Sequence, residues 1–130
     1  MRNCQFIINP NILPVAIGDL REAVGWARLD EDYSSLLKGY WATVGGFDSN
    51  GTLVAWCAVI SDGVRHAVLL DVIVHPSFQG QGIGGELVGR SIEHICSHGI
   101  SIIHVDFLPE KAGFYERCGF RVGLGGIFEG

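Results

Sequence analysis

A chain of 130 residues has room for one domain around one core, so residues 1–130 are read as a single folding unit. With 48% hydrophobic and 18% charged residues, intrinsic disorder is excluded. Nine basic against 14 acidic residues give a net charge of −5 and no basic stripe, which argues against a nucleic-acid partner. The outlying number is 19 glycines, and with no G-X-Y period and no repeat they must serve particular backbone positions.

The chain order begins with a short strand at Phe6-Ile7-Ile8, an apolar run too short for a signal peptide or a membrane span. Asp19-Leu20-Arg21-Glu22 has the form of a capping box, and Leu20, Val24 and Ala27 follow at helical spacing, which predicts a helix over about 19–28. Asp30-Glu31-Asp32 opens a second short helix carrying Tyr33, Leu36 and Leu37, ended by Gly39. Three strands follow, Trp41–Phe47, Leu53–Ile60 and His66–Val74, joined by the turn-forming runs Asp48-Ser49-Asn50-Gly51 and Ser61-Asp62-Gly63. Ile83, Leu87, Val88, Ile92 and Ile95 make one stripe of a helix over about 82–98 with Gly99 as its stop. A strand over Ser101–Phe107, a short helix at Ala112–Cys118 and an extended piece from Phe120 complete an α+β order with an antiparallel half and a β-α-β half. Cys4, Cys57, Cys96 and Cys118 form no C-x-x-C pair and read as reduced thiols, so the expected location is cytoplasmic, with no membrane partner.

Five glycines fall between Gly80 and Gly89, where the strongest strand meets the longest helix. Helix-start amides are unpaired, and small residues let an anion approach them, so this turn suits a phosphate or pyrophosphate. A Walker loop is excluded because Gly84 is followed by Gly85 and Glu86 instead of Lys-Ser/Thr. Gly80-x-Gly82-x-x-Gly85 matches the dinucleotide fingerprint by spacing, but His75-Pro76-Ser77-Phe78-Gln79 separates it from the strand, and 24 residues after Asp106 leave no room for further β-α-β units.

The third pattern, Gln/Arg-x-x-Gly-x-Gly/Ala, stands as Gln79-Gly80-Gln81-Gly82-Ile83-Gly84. With Leu70 to Phe78 before it and Gly113-Phe114-Tyr115-Glu116-Arg117-Cys118-Gly119-Phe120 after it, the chain resembles the GCN5-related N-acetyltransferase (GNAT) family. The likeness implies a three-layer α/β/α fold with a mixed, mostly antiparallel sheet and a β-α-β core that binds acetyl-coenzyme A. It implies that Gln79, Gly80, Gln81, Gly82, Ile83, Gly84 and Gly85 cradle the pyrophosphate. The main chain at Val72, Ile73 and Val74 would pair with the pantetheine arm, a backbone amide near Ile73 would polarise the carbonyl, and Phe114 would lie beside the cofactor.

Acetyl transfer to an amine needs an uncharged nucleophile, a polarised carbonyl and a proton for the thiolate. By the resemblance Tyr115 supplies the proton; its ring also suits plain packing beside the cofactor. Asp71, a carboxylate inside an apolar strand, is the candidate base, or else a structural residue bonded to its surroundings. His66 and His75 are alternative bases that also read as strand-end surface residues. His94 and His98, four apart on the long helix, lack a third ligand, so no metal is expected and a solvated face is the plainer reading. Trp26 is a candidate for the acceptor pocket. Trp41 and Trp56 suit the core, and Asp30-Glu31-Asp32 suits a cationic acceptor or a solvated loop.

The expected reaction is transfer from acetyl-coenzyme A to a primary amine, a small aromatic or alkyl amine or a lysine side chain; the rival is a non-catalytic acyl-coenzyme A binding module. Little chain follows Phe120, which leaves one acceptor wall open and predicts a homodimer.

Overall fold

The structure, a computed structural model, describes residues 3–130. Its elements in chain order are β1 (Gln5–Ile8), α1 (Pro14–Ala23), α2 (Asp30–Gly39), β2 (Ala42–Phe47), β3 (Leu53–Ser61), β4 (His66–Val74), α3 (Ile83–Ser97), β5 (Ile102–Val105) and α4 (Ala112–Arg117). Single 3-10 turns at Pro76–Phe78 and Pro109–Lys111 precede α3 and α4.

The five strands lie in chain order; β1 to β4 are antiparallel, and β5 is parallel to β4. One face of the sheet packs Val44, Cys57 and Leu69 against Leu87, Val88 and Ile95 of α3 and Tyr115 of α4. The other packs Trp56, Ala58 and Ile73 against Ile17 and Leu20 of α1 and Tyr33 of α2. Two helical layers thus enclose one mixed sheet, the α/β/α arrangement expected.

Two local expectations are corrected. α1 starts at Pro14 rather than near Asp19, because proline at the first helical position brings its φ already set and lacks only an amide that has no partner there. Asp19 therefore sits inside the helix, and its carboxylate pairs with Arg28 at 2.8 Å instead of capping. The piece after Phe120 joins no sheet; residues 121–130 are exposed and make no ladder.

The site is positioned by an irregularity. Trp56 pairs with Ile73, and Ala58 pairs with Leu70, so Cys57 alone faces both Asp71 and Val72. Asp71, at the bulge, has a left-handed φ of 53°. The strand bends there, and β5, in register with β4 only from His66 to Leu69, leaves the edge of β4 from Leu70 to Val74 without a strand beside it.

Candidate active site

Antiparallel partners alternate between residues that exchange hydrogen bonds and residues that do not. His75 N donates to Val54 O at 2.8 Å, which makes Val54/His75, and two residues on Trp56/Ile73, the bonded pairs. The Ile73 main chain is therefore turned to β3. This corrects the expectation that Ile73 pairs with a pantetheine arm and that an amide at Ile73 polarises the carbonyl. Val72 and Val74, one residue either side, turn theirs to the open edge. Val74 O accepts there from Gln79 Nε2 at 2.9 Å, so Gln79 meets this edge through its side chain.

The glycine turn begins where that edge ends. Gly80 and Gly82 have φ of 75° and 79°, a region β-carbons disfavour, and Gly82 is the residue on which α3 starts. Glu86 N donates to Gly82 O at 3.1 Å, so the amides of Ile83, Gly84 and Gly85 ahead of it are first-turn donors with no helical acceptor. A β-carbon on Gly84 would stand 3.3 Å from the Phe114 ring and 3.6 Å from Val74 Cγ2, so the start of α3 is seated on α4 and on the end of β4. On Gly85 it would meet nothing within 4 Å. Free amides, an open approach and a strand edge in continuation fit a pyrophosphate followed by an extended arm. Gly82→Val is expected to lower coenzyme A affinity about tenfold or more in a calorimetric titration, because a branched side chain rejects the left-handed conformation that aims these amides.

On the α1/α2 face, the bulge presents Asp71. Its Oδ2 accepts from the Tyr33 hydroxyl and lies 3.2 Å from Arg21 Nη1, so the carboxylate is paired through side chains and not isolated. Arg21 Nη1 also donates to Tyr33 Oη at 3.1 Å, and Arg21 Nε to Ala27 O at 2.6 Å. The guanidinium lies 5.2 Å from the Trp26 ring centre, which gives that half-exposed indole a cation beneath it. Burial, and then the bond to Asp71, push the Tyr33 phenol well above its ordinary value, and Tyr40 beside it is raised by burial and the Asp71 charge. Both stay protonated donors at neutral pH.

On the opposite face, Tyr115 is stacked on Phe107 at 4.7 Å and met edge-on by Phe114 at 4.9 Å and Phe120 at 5.7 Å. Burial, assisted by Cys57, Cys118 and Asp106, pushes its pKa up to about 12. The Cys57 thiol is likewise pushed to about 12 by burial, and the Asp71 charge acts on it too. Cys57, which faces Asp71 and Val72 across the bulge, lies in the same apolar cluster as Tyr115.

The remaining candidates are engaged elsewhere. His75 Nδ1 accepts from Ser77 N at 3.0 Å and caps the turn, while His66 Nδ1 lies 3.0 Å from His104 Nε2 at the far end of β4. His94 and His98 pack their rings 5.6 and 5.2 Å from Trp41, and among the described residues no three metal-ligating side chains converge. Trp56 is in the core as expected. Asp30 is paired with Arg28 at 3.1 Å. Sequence reasoning passed over Arg21. Its signal was its place beside Ile17, Leu20 and Val24 on the apolar side of α1, where a cation needs a carboxylate partner.

Comparison with known proteins decides the family, since the profile of the acetyltransferase (GNAT) domain matches residues 38–122. The chain belongs to the GNAT family. It is 36% identical over 114 residues to rice chloroplastic serotonin N-acetyltransferase 2, an alignment covering 82% of this chain and 56% of that protein. Among solved structures, a probable acetyltransferase from Staphylococcus aureus superimposes with a TM-score of 0.84 at 20% identity, covering 98% of this chain and 99% of the other. An Escherichia coli GNAT family N-acetyltransferase, solved in complex with CoA, gives 0.76 at 18% identity over 93% of this GNAT chain and 70% of its own. The chain spans between 56% and 67% of the length of curated relatives that match most of it.

Proposed function

We propose that this protein transfers the acetyl group of acetyl-coenzyme A directly to a primary amine, of the arylalkylamine or lysine side-chain class. The observation that carries the reading is the continuity of the glycine turn with the open edge of β4, ending at a bulge flanked by an acid on one face and a phenol on the other. Ile83, Gly84 and Gly85 would hold the pyrophosphate through their amides, with Gln79, Gly80, Gln81 and Gly82 shaping the turn. Val72 and Val74 would pair with the arm, and Phe114 would wall it.

The co-substrate supplies a thioester carbonyl: the amine nitrogen forms the C–N bond, the C–S bond breaks, and the thiol leaves with a proton. Asp71 draws the ammonium in and accepts its proton, directly or through water, which frees the nitrogen lone pair. Tyr115, protonated at neutral pH by its burial, gives the thiolate its proton, and the second proton that nitrogen sheds as the amide forms returns to the phenolate through water. A cysteine relay is disfavoured because Cys57, buried and raised to about 12, supplies no thiolate. The likeness to rice serotonin N-acetyltransferase 2 supports the acceptor class. Trp26 on the Arg21 guanidinium adds an aromatic surface near Asp71.

A non-catalytic acyl-coenzyme A binding module is the second reading, favoured by the three rings that nest Tyr115 and give it a purely packing use. Thiol release from acetyl-coenzyme A is measured across a panel of serotonin, 2-phenylethylamine, butylamine and a lysine peptide. Amine-dependent release is expected; coenzyme A binding without it establishes the binding module instead.

A further inference from the structure

The Asp71 carboxylate has two oxygens, and the chain holds one of them. Oδ2 takes the Tyr33 hydroxyl and the Arg21 guanidinium, whereas among the described residues no donor reaches Oδ1, and the side chain is 29% exposed. Both partners are themselves anchored. Tyr33 is wholly buried in the cluster between α1, α2 and the sheet. Arg21 is tied through Nε to Ala27 O and covered by Trp26. A short acidic side chain on a bulge would otherwise turn about its two side-chain torsions and present either oxygen. Two fixed donors on a single oxygen stop that turning and leave Oδ1 as the oxygen open to a further partner.

We propose that Tyr33 and Arg21 are positioning residues that act through Asp71, orienting Oδ1 toward the acceptor nitrogen. The proposal rests on the reading above in which Asp71 meets the acceptor. It makes α1, the segment after it and α2 a single brace on the bulge, so substitutions in the brace change acceptor turnover without touching coenzyme A.

The test is a double-mutant cycle on the full chain, using the best acceptor of the amine panel. Tyr33→Phe is expected to lower kcat/KM for the amine about tenfold, with KM for acetyl-coenzyme A within about twofold of wild type. In the Asp71→Asn background the same change is expected to cost less than about twofold, because the residue it acts through is already altered. Arg21→Lys, which keeps a charged donor, is expected to recover part of the activity lost in Arg21→Met. An equal loss from Tyr33→Phe in both backgrounds, or a loss confined to KM for acetyl-coenzyme A, overturns the positioning role and leaves the Asp71 reading standing. If Asp71→Asn turns over the amine like wild type, or if no amine is turned over, the Asp71 reading falls and the positioning role falls with it.

Discussion

Replacing Tyr115 with phenylalanine is expected to lower kcat about 100-fold while coenzyme A affinity stays close to wild type, because general acids contribute at least that much to a proton-dependent step. The substitution removes a single oxygen. The stack on Phe107 and the edges of Phe114 and Phe120 are made by the ring and persist, so the fold has no reason to change. The departing thiolate then has to take its proton from water. Burial fixes the sign of the pH dependence: with its pKa raised from 10.0 to about 12, the phenol keeps its proton throughout neutral and mildly alkaline pH. The alkaline decline in kcat due to Tyr115 is therefore expected near pH 12 and not near 10, with no decline from this residue between pH 7 and 9. Steady-state rates of wild type and Tyr115→Phe against pH check both statements. A kcat within about threefold of wild type would return Tyr115 to a packing role.

Gly46→Val is expected to lower stability clearly, at a position away from the site. A β-carbon on Gly46 would lie 2.8 Å from Cys4 Sγ and 2.9 Å from the Ala55 β-carbon, closer than such contacts occur, and 3.1 Å from the Phe6 ring, which is tight. These neighbours come from both sides: β1 pairs Phe6 with Gly46, and β3 pairs Ala55 with it. Ala55 is wholly buried and has nowhere to retreat. Relief requires β2 to shift within the central sheet, a strain of about 1–3 kcal/mol for overpacking. A fall in melting temperature of about 5–10 °C in a calorimetric scan is the expected result, and an unchanged melting temperature would refute the close packing across β2.

Much of the fold was legible in the sequence because it depends on local patterning. β3, β4 and α3 follow their apolar runs and stripe within a residue or two of the expected limits. The start of α1 was misplaced because two local signals competed. Asp19-x-x-Glu22 looks like a cap, yet Pro14 and the burial of Ile17 outweighed it. The glycine turn was legible for a different reason: positive φ and close approach exclude other residues, so the need is written directly in the composition. The roles around Asp71 were only half legible. That a carboxylate in an apolar strand needs a partner follows from desolvation, but its partners lie 38 and 50 positions away, on α2 and α1.

By itself, the sequence determined the succession of helices and strands, the glycine turn between β4 and α3 and the family, all set by spacing within a few residues or by two short blocks. The tertiary structure alone decided which main-chain groups of β4 are free, because hydrogen-bond alternation depends on the register with β3, and one bulge changes it. It also decided that Asp71 is held by Tyr33 and Arg21. Such a contact is made by packing two helices against a bent strand, and no periodicity in the chain encodes it.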